Sequence, residues 1–307
     1  GGVLMVVCRG DQEIYRHTLG ALTDTTKQPI ASATKWYSGT IVLRLAERGL
    51  FSLDDPIGKF LPAFPRPGKG DLTIRQCFGM KSGLYLEDPE YETTATLTLA
   101  QSVDQIAGHT PVVFTPGSQL AYDGDGMQVV GRICEVVTGK DWRTLAQEEL
   151  FGPLGMTDSD YGLLLLNPAI AGGARSTLAD YMRLLRMVQQ GGLAANGSRY
   201  LSTASVDVLF TNATRDLPEY ASAWPASLNY AYNQRPDYGF GAWILAEHPS
   251  TLVVEEVASP GKFGTWPIVD RKRNLRTVIF THDPNGFALG VYTNLQVLKA
   301  LRETVGP

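Results

Sequence analysis

Ser32 and Lys35 stand three residues apart in Ile30-Ala31-Ser32-Ala33-Thr34-Lys35-Trp36, where the chain reads as the start of a helix. Positions i and i+3 share a helical face, their Cβ atoms about 5–6 Å apart. A serine hydroxyl is a weak nucleophile near neutral pH and needs a base beside it. A lysine amine in its neutral form is such a base. A helix start adds a positive field and outward N–H groups, both of which favour a developing oxyanion. The pair therefore points to acyl transfer through a covalent serine ester.

Spacing alone does not single out Ser32. A chain of this length holds about one Ser-x-x-Lys by chance, and here there is a second, Ser259-Pro260-Gly261-Lys262. In that second run proline and glycine intervene at what reads as a strand edge, so Lys262 shares no helical face with Ser259. The surroundings decide for Ser32. Downstream of it Ile41, Val42 and Leu45 recur at helical spacing, and Gly49 closes about four turns. Ser32 is expected at the mouth of that helix, with the apolar stripe in a core. In Leu50-Phe51-Ser52-Leu53-Asp54-Asp55-Pro56-Ile57, Asp54 or Asp55 is expected to cap a short helix opened by Pro56. Leu72 to Leu84 reads as a short helix ending in a turn.

The ordered set resembles the serine β-lactamase and penicillin-binding superfamily, in particular its class C-like esterase branch. The resemblance rests on an Ile-Ala-Ser-x-Thr-Lys element, a helix ending near glycine, a Leu-Ser-Leu-Asp-Asp-Pro turn and a Thr-Ile-Arg…Ser-Gly-Leu segment. Phe114-Thr115-Pro116-Gly117 through Tyr122, Phe151 to Asp158 and Ala171 to Thr177 extend it over nearly the whole chain. It implies that Tyr122 passes a proton between Ser32 and the leaving group, at the position of the family's Tyr-x-Asn. It also implies an oxyanion hole made by the backbone N–H groups of Ser32 and Lys262. Ser259 and Gly261 then fall at substrate-binding positions on an inner strand. Two departures stand out. Gly124 replaces the asparagine that in β-lactamases and peptidases helps hold the substrate amide; the flanking Asp123 and Asp125 read as turn formers. Ser259 replaces a cationic residue that helps bind a substrate carboxylate. Both losses argue against β-lactam and peptide substrates and leave the apparatus for ester hydrolysis intact.

The elements that position these residues follow from patterning. The first residues read as a strand, a turn at Arg9-Gly10-Asp11 and a second strand from Glu13 to Leu19. Helices are expected at roughly 102–107, 127–138, 141–150 and 177–190. For the last, Thr177 and Asp180 read as a capping box, and Leu178, Tyr181, Leu184, Leu185 and Val188 form the stripe. Strands are expected at Tyr238–Leu245, Leu252–Val257, Thr265–Val269 and Leu275–Thr281, from their β-branched and aromatic residues. The fold class is thus α/β (α+β): one antiparallel sheet built from N- and C-terminal strands, flanked by helices, with an inserted mainly helical region. The domains are 1–31 plus about 165–307 for the sheet and about 32–164 for the helices. By resemblance the active site lies in the cleft between them.

A 307-residue chain with 44% hydrophobic content has enough apolar surface for a large core. The net charge of −4 and the lack of a basic cluster argue against nucleic acid as a partner. No segment is expected to span a membrane. Cys8, Cys77 and Cys134 are odd in number and widely spaced, and read as buried thiols. His17, His109, His248 and His282 fit neither a metal site nor a nucleophile elbow. No cofactor or metal is expected. The aromatic stretch from Trp224 to Trp243 reads equally as acyl pocket or as packing. The chain opens inside a strand without Met, so a leader is expected to be missing. A periplasmic or secreted location follows if one was removed, a cytoplasmic one otherwise; oligomeric state stays open.

The leading reading is a serine hydrolase acting on a small-molecule acyl substrate such as an ester or lactone. The alternative is a β-lactamase or D-Ala-D-Ala peptidase. A catalytically silent binding scaffold is the third, and the intact Ser32, Lys35 and Tyr122 argue against it.

Overall fold

The computed structural model describes residues 2–87, 91–162, 166–221 and 236–283, together with 296, 297, 299, 300 and 302–304. The chain opens with the expected hairpin, β1 (Gly2–Arg9) and β2 (Gln12–Gly20), turned at Gly10 with φ +55°. Two short pairings follow, β3 (Gln28–Pro29) with β5 (Arg175–Ser176), and β4 (Leu120–Ala121) with β6 (Glu219–Ala221). The last strands are β7 (Asp237–Tyr238), β8 (Trp243–Glu247), β9 (Val254–Ala258), β10 (Trp266–Asp270) and β11 (Leu275–Thr281). They join the opening hairpin in one seven-stranded sheet of order β2-β1-β11-β10-β9-β8-β7. All neighbouring strands in this sheet pair antiparallel, and Val6 faces Val278 where the opening and closing strands meet.

Burial explains the strand compositions. Leu4 to Cys8 of β1 and Leu275 to Phe280 of β11 are buried on both faces. The edge strand β2 is exposed along its whole length and carries Gln12, Glu13, Arg16 and His17, the polar dress that keeps an edge from pairing with another chain.

Among the described residues eight α-helices lie in sequence between the opening hairpin and β7: α1 (Thr34–Glu47), α2 (Ile74–Phe78), α3 (Leu99–His109), α4 (Asp125–Thr138), α5 (Trp142–Ala146), α6 (Gly152–Leu154), α7 (Leu178–Gln189) and α8 (Thr203–Leu209). The four expected helical stretches are found within a few residues, the third continuing from α5 through a wide turn at Gln147–Phe151 into α6. The α7 stripe of Leu178, Tyr181, Leu184, Leu185 and Val188 is buried, and α7 packs over β10 and β11. All three cysteines are buried free thiols. Among the described residues no helix is long and apolar enough to cross a membrane.

Several local readings need correction. The expected strand Tyr238–Leu245 is two strands, because Gly239 to Gly241 turns the chain back on itself. Gly241 has φ +76°, and the Gly239 N–H donates to Ala242 O at 2.8 Å. Alternating glycine and apolar residues had mimicked strand periodicity there. Neither Asp54 nor Asp55 caps the 3-10 turn Ile57–Lys59. Asp55 instead accepts from Ser52 N–H and Lys59, and Asp54 takes Arg75, a guanidinium within better reach than a buried helix end. Thr177 does cap α7, but Asp180 accepts from Asp158 N–H and the Ser159 hydroxyl rather than closing the box. In α1 every residue from Thr34 to Leu43 is buried, so the helix is enclosed all round rather than along one stripe.

Candidate active site

Ser32 sits in a single 3-10 turn, Ala31–Ala33, that leads directly into α1. Ala31 holds φ +44°, a left-handed conformation that a residue with a Cβ adopts only under constraint. The constraint is a ring of hydrogen bonds to the turn's own backbone. Ile30 N–H donates to Ala174 O at 3.1 Å, and Ala174 N–H donates to the Thr34 hydroxyl oxygen at 3.1 Å. The buried Tyr181 hydroxyl of α7 donates to Ala33 O at 2.6 Å. The Ser259 hydroxyl, itself buried, donates to Ser32 O at 3.1 Å. Each carbonyl and N–H tied in this way fixes the direction of the Ser32 side chain.

Lys35 lies one turn on, only 4% exposed. Its Nζ donates to Ser32 Oγ at 3.0 Å and to Ala171 O at 3.0 Å. The same Nζ is 4.7 Å from the centre of the Tyr122 ring. Tyr122 is held from behind by stacking on Trp243, ring centres 5.2 Å apart and planes 12° from parallel, and by the edge of Tyr238. Its backbone is fixed by Tyr122 N–H to Ala221 O and by Ala121 N–H to Met80 O. The structure thus brings Ser32, Lys35 and Tyr122 together around one amine.

The second Ser-x-x-Lys run approaches the same turn from the sheet. Gly261 N–H donates to Thr265 O at 2.8 Å. A Cβ added to Gly261 would stand 2.1 Å from Ile30 O, so only glycine lets the connection between β9 and β10 press against the Ser32 turn. Ser259 was expected to face substrate, but its hydroxyl is engaged under Ser32. Among the described residues no hydrogen bond uses the Lys262 N–H.

The Tyr122-Asp123-Gly124 corner carries buried acids. Asp123 Oδ1 accepts the Asp125 N–H at 2.5 Å, and Asp125 Oδ2 accepts the Thr110 hydroxyl at 2.6 Å. Burial, then the charges of Asp125 and Glu92, raise the Asp123 carboxyl well above the usual range, with Lys35 pulling the other way. Burial likewise raises Asp125. These two were read as turn formers, and the Asp123-to-Asp125 hydrogen bond is such a turn.

Sequence reasoning missed Ala171 O, Tyr181, Trp243 and the loop that carries Glu92, all brought in from far along the chain. Residues 222–235, most of the aromatic stretch, lie outside the described residues. None of His17, His109, His248 and His282 contacts the Ser32 cluster in any described hydrogen bond. Among the described residues no group of acids, histidines and cysteines could hold a metal ion.

The chain is similar to several known proteins over most of its length. An Escherichia coli O157:H7 protein, a provisionally assigned D-alanyl-D-alanine carboxypeptidase, is 28% identical over 92% of this chain and 79% of its own length. The K12 counterpart is 28% identical as well, but the match covers only 44% of its length. The lovastatin esterase of Penicillium rubens is 25% identical over 88% of this chain and 86% of its own. Among solved structures, a provisionally assigned beta-lactamase from Bacteroides dorei superposes with a TM-score of 0.82 at 29% identity, covering 92% of this chain and 85% of that one. The Beta-lactamase family model matches residues 1–302, and with that span, the shared fold and the ordered motifs, the chain belongs to the beta-lactamase family.

Proposed function

We propose that the protein is a serine hydrolase that forms an acyl-enzyme on Ser32 and hydrolyses small esters or related acyl compounds. The observation that carries this reading is the 3.0 Å approach of Lys35 Nζ to Ser32 Oγ. A neutral amine has two N–H bonds and one lone pair. In that form one N–H stays on Ala171 O, the contact with Ser32 Oγ reverses, and the lone pair accepts the Ser32 proton as Oγ attacks the acyl carbon. The oxyanion is received by the N–H groups of Ser32 and Lys262. Tyr122, beside the same amine, relays the proton to the leaving group. Water then repeats the path in reverse and frees Ser32.

The β-lactamase or D-Ala-D-Ala peptidase reading is favoured by the names of the E. coli and Bacteroides relatives. Against it stand Gly124 and the buried Ser259, which together lack the amide and the cation for an anionic substrate. A charge-assisted hydrogen bond is worth about 1.5–3 kcal/mol, or roughly 10–150-fold in affinity. Side-by-side steady-state kinetics on short p-nitrophenyl esters and on nitrocefin separate the two. The ester kcat/KM should exceed the nitrocefin value by more than that factor. Equal efficiency would replace the esterase reading with the β-lactamase one. No turnover, together with no fluorophosphonate adduct, would leave the binding scaffold.

A further inference from the structure

Met80 holds φ +56°, a left-handed conformation that is easy for glycine and uncommon for a residue with a Cβ. It stands directly after Gly79, the C-cap of α2, and the Lys81 N–H donates back to Gln76 O at 3.1 Å. That bond closes the helix end in the motif whose left-handed position is usually glycine. A methionine in that place carries strain that the turn itself does not require. Its side chain is buried, only 2% exposed.

Backbone and side chain of Met80 both reach the chain around Tyr122. Its carbonyl accepts the Ala121 N–H at 2.9 Å. Its Sδ accepts the Asp123 N–H at 3.4 Å. The residues on either side of Tyr122 are thus gripped by one residue. The Tyr122 N–H between them goes to Ala221 O at 2.9 Å. With three successive amides tied, the backbone of Tyr122 is fixed, and with it the direction in which the ring leaves the chain. That ring lies 4.7 Å from Lys35 Nζ and stacks on Trp243. A thioether is a weak acceptor, but an amide with a weak partner fares better than one with none.

We propose that Met80 is a positioning residue, whose left-handed backbone and thioether aim Tyr122 at the Lys35 amine and so serve the proton relay to the leaving group. The inference rests on the Ser32 acyl-enzyme reading and adds the part that places its relay. A misplaced relay is felt where the leaving group needs a proton. An alkoxide needs one to depart, and p-nitrophenolate does not. Damage to the fold or to Ser32 slows both alike.

The test uses the full chain and two esters of one acyl group, p-nitrophenyl butanoate and ethyl butanoate. They are compared by kcat/KM, which reports acylation for both. Met80→Leu conserves volume and removes the sulfur. It should lower the ethyl ester value about tenfold more than the p-nitrophenyl value, a fraction of the roughly 10²–10⁴-fold that a positioned acid–base group supplies. Met80→Gly relaxes the left-handed residue and also removes the sulfur. It should shift the ratio at least as far, so the test stands even if the leucine variant does not fold. In a Tyr122→Phe background neither change should move the ratio further, since the relay it serves is gone. The ratio is internal to each protein, so a general loss of folded enzyme leaves it unmoved. Equal losses on the two esters, or a further shift in the Tyr122→Phe background, would overturn the inference and leave the Ser32 reading standing. A wild type that cleaves the p-nitrophenyl ester alone would deny the relay, and the inference with it. No cleavage of either ester and no fluorophosphonate adduct would overturn the Ser32 reading itself.

Discussion

The two walls around Lys35 are held by different means. The Ser32 wall is fastened backbone first: Ile30, Ser32 and Ala33 each give an N–H or carbonyl to a partner from residues 174, 259 or 181. The Tyr122 wall adds ring packing to its two backbone bonds, through the Trp243 stack and the edge of Tyr238, and the space at Gly124 is filled by Glu92 from another loop. The first arrangement tolerates few exchanges, because two buried hydroxyls, of Ser259 and Tyr181, hold its carbonyls and Gly261 presses against it with no room for a Cβ. The second changes character with one side chain. Hydrogen-bonded backbone on one side and packed aromatic rings on the other is the division this difference teaches, and it can be broken at defined points.

The largest effect is expected at Ser32. Ser32→Ala should abolish fluorophosphonate labelling and lower ester turnover by about 10⁴–10⁶-fold, the range seen when a nucleophile is removed. Intact-protein mass spectrometry is the check, and an adduct of undiminished yield would remove Ser32 from its role. Next, Lys35→Ala and Tyr122→Phe should each lower kcat by about 10²–10⁴-fold, as positioned acid–base groups do. The double variant should be hardly worse than either single one, since both serve one proton path. Additive losses would mean that the two walls act independently.

A smaller effect tests the fastening of the first wall. Tyr181→Phe leaves the buried Ala33 carbonyl without its donor, which costs about 1–3 kcal/mol. A lower melting temperature and a drop in kcat of about tenfold should appear together. A stability loss with unchanged kcat would show that the turn keeps its aim without Tyr181. The smallest effect belongs to the second wall. The folded-state pKa of Asp123 is raised by burial first, then by its acidic neighbours. Its stabilising contribution is therefore present at low pH, below its unfolded pKa, and is lost as pH rises through the folded value. Asp123→Asn keeps the acceptor for the Asp125 N–H. It should raise thermal stability at neutral pH, with the gain shrinking as pH falls, in melts recorded from pH 4 to 8. A gain that is the same at every pH would deny the buried charge.

What the sequence made legible follows the same division. Ser32 and Lys35 were readable because an i, i+3 spacing at a helix start is a local property. The strands β1 and β11 were readable from their runs of β-branched and apolar residues, and the stripe of α7 because burial on one side leaves a helical period in the chain. Tyr122 came from the order of motifs rather than from its own surroundings. The Ser259 hydroxyl under Ser32, the Tyr181 strut and Glu92 in the space at Gly124 left no such trace. Each joins residues separated by long stretches of chain, and nothing in either partner's neighbourhood announces the other. The turn at Gly239–Gly241 was masked by its own alternation, although a Gly-x-Gly is itself a breaker signal.

The pairing of β1 with β11 closes the sheet only after nearly the whole chain has been made. At about 5–20 residues per second of synthesis, the opening hairpin waits on the order of tens of seconds for its partner strand. Such distant pairing is slow to close, because the loop entropy is lost before the contacts form. The supports of Ser32 arrive with the same late segments, residues 171–181 and 259–261. Sheet closure and bracing of the Ser32 turn are then one event. In refolding experiments the recovery of fluorophosphonate reactivity should coincide with the last phase of sheet formation. Reactivity that returned earlier would show that the turn assembles on its own.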